Sequence, residues 1–266
     1  MKSLSHKLAV LFVLLIATTS LNAQDFNGKA YYATKSTLKL GRWGDNLSTA
    51  QKKQIQARLK NRLEKEYILV FNLKESLFKE DEKLDAMSGA TDSWGKNFSQ
   101  GDLYKNVKEN VLIQNQEFYG KRFLVKDKPY QLQWEMSSEQ KTIGEYACFK
   151  ATATLPVVDL KWYDFSWDRI RESDSEKENM VTVEAWYTPQ IPVSNGPSEF
   201  WGLPGLILEV SAGDTTMLCT RIEMNLKEKT KIEAPEKGTE VNKIEYREIV
   251  KKKMSEMRDM YRSRNR

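Results

Sequence analysis

The stretch Trp186–Val210 reads WYTPQIPVSNGPSEFWGLPGLILEV, and its composition restricts the fold more than any other part of the chain. Four of the seven prolines lie between Pro189 and Pro204. Each proline ring fixes φ and removes a backbone donor, so this run can continue neither a helix nor a central strand. The stretch therefore predicts a rigid connection of specific shape, and Ile207–Val210 after it indicates a buried strand.

Two tight turns are expected within this connection. Pro204 and Gly205 suit the second and third positions of a type II turn, because proline presets φ and glycine tolerates φ above zero. Upstream, the Asn-Gly-Pro sequence at 195–197 can open a single helical turn with proline at its first position. That helical turn would direct Phe200 and Trp201 toward the body of the protein.

Two segments resemble a known protein family. The first is the hexapeptide Gly202, Leu203, Pro204, Gly205, Leu206 and Ile207. The second is Trp134–Thr154, WEMSSEQKTIGEYACFKATAT, where a tryptophan strand precedes an Ile-Gly-Tyr-like turn and a Cys-x-Lys-Ala strand, with Glu145 inserted in the turn. Both segments resemble the GLPGLI family of secreted proteins from Gram-negative bacteria, and the likeness extends over roughly Lys29 to Glu223. The resemblance implies an exported protein and no particular reaction.

The first 23 residues have the pattern of a secretory signal peptide. Lys2, His6 and Lys7 form a positive start, and the apolar run Leu8–Ala17 is too short to span a bilayer. Cleavage is expected near Ala23, without lipidation, because no cysteine stands at the cut. A retained anchor at Leu8–Ala17 is the less favoured alternative. No later segment is long and apolar enough for a membrane helix, so the mature chain is predicted to be periplasmic or exported.

The net charge and the single histidine exclude several functional classes. His6 is the only histidine, so the mature chain would have none. Ser-His-Asp and Cys-His centres, His-ligated zinc and imidazole proton shuttles are therefore excluded. Loss of Lys2 and Lys7 lowers the formal charge from +5 to +3, which does not suggest a nucleic-acid partner. We predict neither a cofactor nor a metal site.

Catalytic motifs are also weak. Ser-x-x-Lys occurs at Ser36, Ser76, Ser93 and Ser138, and four matches in a lysine-rich chain indicate chance. Nucleophile-elbow, phosphate-loop and HExxH patterns are missing from the sequence. A hydrolase that uses carboxylates alone is the least favoured function.

Cys148 and Cys219 are the two cysteines. An even count in an oxidising compartment suggests a disulfide, which would stabilise the fold by roughly 3 to 5 kcal/mol. Because both lie in apolar, strand-like stretches, two unconnected buried thiols are the competing interpretation. The bridge is slightly favoured.

Short β-branched and aromatic runs separated by turn-sized gaps predict an antiparallel arrangement. The expected strands are Gly28–Leu40, Glu66–Leu73, a partner beginning at Ser76–Lys79, Val111–Ile113, Glu117–Tyr119, Phe123–Asp127, Gln131–Glu135, Val181–Tyr187, and a hairpin of Leu206–Ser211 with Thr215–Asn225. The polar segment between Asp81 and Asn106 indicates a long loop or flap. The predicted fold class is mainly β: a strongly curved antiparallel sheet or open half-barrel spanning 24–240.

Two helices are expected to cover this sheet. Ser48 and Thr49 can cap the first, which would run to about Glu64 with Ile55, Leu59 and Leu63 on one face. The second, basic helix fills 241–266, packed on the domain or extending from it, with Ile244, Ile249, Met254, Met257 and Met260 as its apolar positions. Methionines at this spacing can bind Cu(I), and a basic helix can contact acidic lipid, but packing on the sheet is favoured.

The run Asp159–Asp168, DLKWYDFSWD, concentrates Trp162, Tyr163, Phe165 and Trp167. Aromatic platforms beside carboxylates suit sugar or peptide recognition, yet packing over the core edge is the favoured interpretation. The acidic residues 172–178 indicate a solvated loop.

The sequence therefore predicts a non-enzymatic envelope protein that holds an apolar or extended ligand, or a protein partner, in the concavity of its sheet. The contact candidates are Trp186, Tyr187, Phe200, Trp201 and Leu203. The alternative is a purely structural component in which the GLPGLI motif is a folding device.

Overall fold

The structure is a computed structural model that describes residues 26–37, 45–81, 100–163, 179–226 and 231–264. The predicted signal peptide, Ser93, Phe165, Trp167 and the acidic residues 172–178 lie outside these ranges. The strands are β1 Asn27–Ser36, β2 Glu64–Asn72, β3 Glu75–Glu80, β4 Leu103–Asn106, β5 Val111–Phe118, β6 Lys121–Asp127, β7 Glu135–Ile143, β8 Tyr146–Pro156, β9 Met180–Thr188, β10 Leu206–Ala212, β11 Thr215–Met224 and β12 Thr239–Val241. The helices are α1 Thr49–Arg58, α2 Lys60–Leu63, α3 Val157–Leu160 and α4 Lys243–Arg264.

The described strands form one open sheet of twelve strands in the order β12-β6-β5-β4-β3-β2-β1-β11-β10-β9-β8-β7. Strands β2 to β6 form one antiparallel meander, and β7 to β11 form another. Strand β1 lies between the two meanders and pairs with both β2 and β11. The mainly β, open-sheet class is confirmed. Sequence reasoning missed β12, which pairs parallel to β6 at one edge.

The alternation of side chains determines which face of the sheet is buried. In β1, Ala30 and Tyr32 point to the same face as Leu69 and Phe71 of β2, and all four are buried. This face continues through Phe78 and the strands of the second meander to form the larger hydrophobic core. Successive residues of a strand face opposite sides, so a register shift of one residue would turn all of its buried side chains to the other face.

A smaller core lies where α4 crosses β5 and β6. Tyr246, Val250 and Met254 recur at four-residue spacing on α4, and they pack against Phe123 and Val125 of β6. Trp162 is buried in the same cluster and meets the Tyr246 ring edge to face at 5.7 Å. The favoured interpretation of Trp162 as a packing residue agrees with this position.

Helix α4 packs with only part of the face that the sequence indicated. Met254 is buried and Ile249 and Met257 pack partly against the smaller core, but Ile244 and Met260 are 63% and 59% exposed. The helix begins after a capping box in which Asn242 and Glu245 each accept from the other's backbone N–H. That start sets the rotation that points Tyr246 at the sheet.

The first helix is capped as predicted, but it does not cover the sheet. The Ser48 side chain accepts from the Gln51 backbone and the Gln51 side chain from the Ser48 backbone. Helix α1 then ends at Arg58 and contains no buried residue. Ile55, Leu59 and Leu63 are only half-buried, so α1 and α2 form a connection between β1 and β2.

Two strand predictions are wrong. The expected strand Gln131–Glu135 is irregular up to Trp134, and Leu132 and Trp134 pack against the larger core from this irregular segment. Leu103–Asn106, placed in the expected loop, forms the short β4 between β3 and β5. Leu103 and Lys105 are the buried alternating positions of that strand. Because one of the two is a lysine, the sequence lacks the apolar alternation that would predict a strand.

Candidate functional site

The connection from β9 to β10 is built from successive tight backbone turns. Backbone hydrogen bonds join Val193 N to Ile191 O and Asn195 N to Val193 O, each at 2.8 Å. The segment then returns to the strand, because Leu206 N donates to Ile191 O at 2.9 Å and Ile207 N donates to Asn195 O at 3.0 Å. The connection is therefore folded back on the start of β10.

The bend at Pro204 is not the type II turn expected from the sequence. Gly205 N donates to Leu203 O at 2.8 Å, which closes a three-residue γ-turn centred on Pro204. Gly202, with φ of 96°, carries the positive backbone angle of the motif instead of Gly205. Gly205 is required for space, because a Cβ there would lie 2.2 Å from the Thr188 backbone oxygen.

The expected helical turn at 195–197 is also wrong. Phe200 N donates to Pro197 O at 3.1 Å, which closes a four-residue turn, and Ser198 within it has φ of 49°. A left-handed residue is incompatible with a right-handed helical turn. Phe200 nevertheless points into the core as predicted, and Trp201 is half-buried.

The structure buries most of the predicted contact residues. Tyr187, Phe200 and Leu203 belong to the larger core, with Leu203 only 1% exposed. Trp201 donates its indole N–H to Tyr130 O at 2.9 Å, and Trp134 donates its own to Trp201 O at 2.8 Å. These two bonds tie the motif to the irregular segment before β7.

Trp186 is covered by charged side chains. Lys141 Nζ lies 4.3 Å from the centroid of the Trp186 ring and pairs with Glu209 at 2.7 Å. Lys150 lies over the same ring and pairs with Glu184, which also accepts the indole N–H of Trp186. The indole is 8% exposed, so these side chains shield a contact candidate from solvent.

Sequence reasoning missed the residue that organises the site, Lys105. The side chain is completely buried, and Nζ donates to Gly196 O at 2.9 Å, Ser198 O at 2.6 Å and Phe200 O at 3.2 Å. An ammonium group has three donors, so these three backbone carbonyls use all of them. Lys105 therefore holds residues 196–200 against β4, and we call this arrangement the lysine clamp.

Burial acts on the charge of the lysine clamp. Desolvation lowers the pKa of Lys105 to about 7, while the carboxylate of Glu199 acts in the opposite direction. Transfer of a cation from water to the interior penalises the charged form, and carbonyl dipoles around Nζ favour it. The lysine clamp is thus a buried amino group bound mainly by backbone, and burial opposes its positive charge.

Polar side chains surround the lysine clamp within the core face of the sheet. Ser76, the cross-strand partner of Lys105, donates to Asn195 Oδ1 at 2.9 Å. Gln100 and Ser198 hydrogen-bond to each other, and both are buried. The turn that contains Ser198 is therefore fixed by side chains as well as by Lys105.

Glu199 connects the same turn to α4. Its carboxylate accepts from the Trp162 indole N–H and from Lys243 Nζ, each at 2.5 Å. Lys243 is the first residue of α4, and its side chain and that of Glu199 are 15% and 16% exposed. The turn thus bridges the larger core and the smaller core.

Cys148 and Cys219 are free thiols, so the favoured disulfide is absent. Cys148 lies on β8 and Cys219 on β11, with β9 and β10 between them. Strands are about 4.8 Å apart along a sheet, whereas a disulfide needs Cα atoms within about 7 Å. Burial raises the pKa of Cys148 to about 11 and that of Cys219 to about 12, which keeps both protonated at neutral pH.

In the described part of the chain, no group of three histidine, cysteine or acidic side chains is arranged to hold a metal ion. None of the helices described is both long enough and apolar enough to cross a membrane.

These features define a class: a mainly β chain with one open twelve-stranded sheet, in which a proline-rich connection is clamped into the core. A family described as a protein of unknown function, Porph_ging, matches residues 134–209, which include β7 to β9 and the clamped connection. No curated protein matches the chain.

The fold of this chain is similar to that of a solved structure. The chain is similar to the structure of PNGF-II in the C2 space group, with 16% identity, a TM-score of 0.50, and coverage of 85% of this chain and 32% of that one. The structure of PNGF-II in the P21 space group gives 17% identity and a TM-score of 0.49, with coverage of 84% and 32%. The chain thus spans about a third of the length of these neighbours, and the likeness at 16% identity concerns the fold alone.

Proposed function

We propose that this chain is a non-enzymatic accessory component of the cell envelope in which the GLPGLI motif is an internal structural device. Export through residues 1–23 and the GLPGLI family name are parts of this proposal. The resemblance at Gly202–Ile207 supports the family name, since the Porph_ging match covers that hexapeptide. The burial of the motif supports its structural role.

The lysine clamp is the observation that carries the proposal. Three carbonyls within residues 196–200 accept from Lys105, and Leu203 and Phe200 fill the larger core. A contact surface presents its anchors to solvent before binding, whereas these side chains are already packed. The ring of Trp201 is the half-buried exception, and it is tied to Tyr130 by a hydrogen bond.

The proposal is tested by measuring both the stability and the partner cross-linking of wild type and Leu203→Ala. Leu203→Ala should lower the free energy of unfolding by about 2 to 5 kcal/mol, because it opens a cavity in the core. Leu73→Ala is the control, since Leu73 is 55% exposed. In cross-linking from intact envelopes, wild type should recover an envelope component, and Leu203→Ala should lose it only in proportion to its loss of folded protein.

A different result would overturn the structural role. If Leu203→Ala or Trp201→Ala kept the melting temperature of wild type and still lost the cross-linked component, the motif would be a contact surface. Turnover of a substrate by the purified chain, abolished by substitution of a carboxylate pair, would overturn the non-enzymatic assignment.

A further inference from the structure

The apolar stripe of α4 continues beyond the part of the helix that packs on the sheet. Tyr246, Val250 and Met254 are buried, and Met257 is half-buried. Each helical residue advances by about 100°, so Met260 and Tyr261 lie within about 60° of this stripe. These two side chains are 59% and 64% exposed. The helix therefore carries an uncovered continuation of its own packing face.

Basic residues lie within the uncovered stripe and at its border. The same rotation places Lys253 beside Met260 within the stripe and Arg258 at the other border. Asp259 lies on the far side, where its exposed pair with Arg258 contributes little, and Glu256 lies about 40° beyond Met260. An apolar stripe with basic borders is the pattern of a helix that rests on an anionic surface.

A second element brings the same chemistry to the same place. The turn between β5 and β6 carries Tyr119, followed by the exposed residues Lys121 and Arg122. Tyr119 Oη lies 3.9 Å from Met254 Sδ, and burial together with the neighbouring Tyr261 hydroxyl raises the pKa of Tyr119. The acidic residue in this turn region is Glu117, the cross-strand partner of Arg122.

We propose that Tyr119, Lys121, Lys253, Met257, Met260 and Tyr261 form a docking patch for the anionic headgroup surface of a lipid bilayer. Aromatic and thioether side chains enter the interface, and the basic side chains meet lipid phosphates. The proposal extends the envelope role suggested above by naming the surface that the chain touches. It stands on the α4 and β5–β6 geometry and not on the GLPGLI motif.

Vesicle binding of the exported protein tests the proposal. The N-terminus is verified by mass spectrometry and is the same in every variant. Whatever precedes β1 therefore contributes equally to vesicle binding in all of them. Wild type should bind phosphatidylglycerol vesicles at least tenfold more tightly than phosphatidylcholine vesicles at low salt, and the preference should fall as salt is raised. Lys253→Glu should weaken binding about tenfold.

Matched controls separate the patch from the overall charge. Lys252→Glu makes the same charge change at an exposed residue of α4 on the far side of the helix, and it should weaken binding less than twofold. Tyr261→Ser should weaken binding, whereas Ile244→Ser, at a residue of equal exposure outside the stripe, should not. Circular dichroism verifies that each variant is folded.

Three outcomes would overturn the membrane contact. Equal binding to the two lipids, equal losses in Lys253→Glu and Lys252→Glu, or binding by an acidic protein with no vesicle binding would each do so. Because the assay uses purified protein and synthetic lipid, such a result would leave the proposed envelope function to its own cross-linking test.

Discussion

Single residues explain why the β9–β10 connection has one conformation. Lys105 supplies three donors to carbonyls that would otherwise be buried without partners. Gly205 leaves the space through which the end of β9 passes, and Gly202 adopts the positive φ. A cation, a missing Cβ and a left-handed residue thus solve three different steric and polar problems in one segment.

Lys105→Met should lower the free energy of unfolding by about 2 to 4 kcal/mol, because it leaves three buried carbonyls unpaired while removing a buried charge. Denaturant titration measures the change. Lys79→Met is the matched control on the neighbouring strand, where the lysine is exposed, and it should change stability by less than about 0.5 kcal/mol. Equal effects of the two substitutions would contradict a clamp.

The pH dependence of stability should carry the signature of Lys105. Burial lowers its folded pKa to about 7 from 10.5, so between these values the unfolded chain binds a proton that the folded chain has released. The free energy of unfolding should therefore rise by about 1 to 2 kcal/mol from pH 7 to 8.5, and Lys105→Met should lack this rise.

The stabilities of wild type and Lys105→Met are compared only up to pH 8.5, because the two cysteines titrate above it. Burial raises the pKa values of Cys148 and Cys219, so the unfolded chain loses those protons first, and stability falls with pH above the ordinary thiol range. Identical slopes for wild type and Lys105→Met below pH 8.5 would show that the three carbonyls keep Lys105 charged.

Gly205→Ala should destabilise the protein by about 3 kcal/mol or more, because the new Cβ would lie 2.2 Å from the Thr188 backbone oxygen. Gly120→Ala is the comparison, since nothing lies within 4 Å of a Cβ there and only the strain of φ +73 remains, about 1 to 2 kcal/mol. Thermal unfolding ranks the two, and a milder effect at Gly205 would contradict the close approach.

At the scale of elements, the turn 197–200 joins the sheet to α4. Glu199 accepts hydrogen bonds from both Trp162 and Lys243, and Lys243 lies over the Trp162 ring at 5.5 Å. Since Trp162 and Tyr246 also share the smaller core, this contact couples the two cores. Helix α4 is therefore attached at its first turn as well as along its apolar stripe.

Glu199→Gln should cost about 2 to 4 kcal/mol, because it leaves Lys243 charged, poorly exposed and without its carboxylate. Glu240→Gln breaks the exposed pair with Lys126 and should cost less than about 1 kcal/mol. Hydrogen exchange of α4 amides provides the readout that distinguishes them, with faster exchange expected only in Glu199→Gln. Equal exchange in both variants would contradict the coupling.

Periodicity made several elements predictable and left others hidden. The hairpin of β10 and β11 and the strands β1, β2 and β9 could be predicted because apolar and β-branched residues alternate there. Strand β4 could not, because its buried position is Lys105, whose burial depends on carbonyls almost a hundred residues away. Helix α1 has an apolar spacing, but it contains no buried residue.

At the scale of the molecule, the described strands form one sheet whose two meanders meet at β1. Its class could be predicted from strand spacing, but the strand order could not, because spacing says nothing about which meander edges pair with the first strand. The candidate site was partly predicted: the prolines indicated the importance of residues 186–210, whereas the burial of Tyr187, Phe200 and Leu203 could not be read from the sequence. The lysine clamp is what holds this buried connection against the sheet.

Native-state hydrogen exchange of the amides of Leu206 and Ile207 tests the central claim most directly. These amides donate to Ile191 O and Asn195 O, so they report whether the connection is locked onto β10. In wild type we predict exchange only through global unfolding, and in Lys105→Met at least tenfold faster exchange through local opening. Exchange in wild type at the rate of an unstructured segment, or protection unchanged by loss of Lys105, would contradict the account.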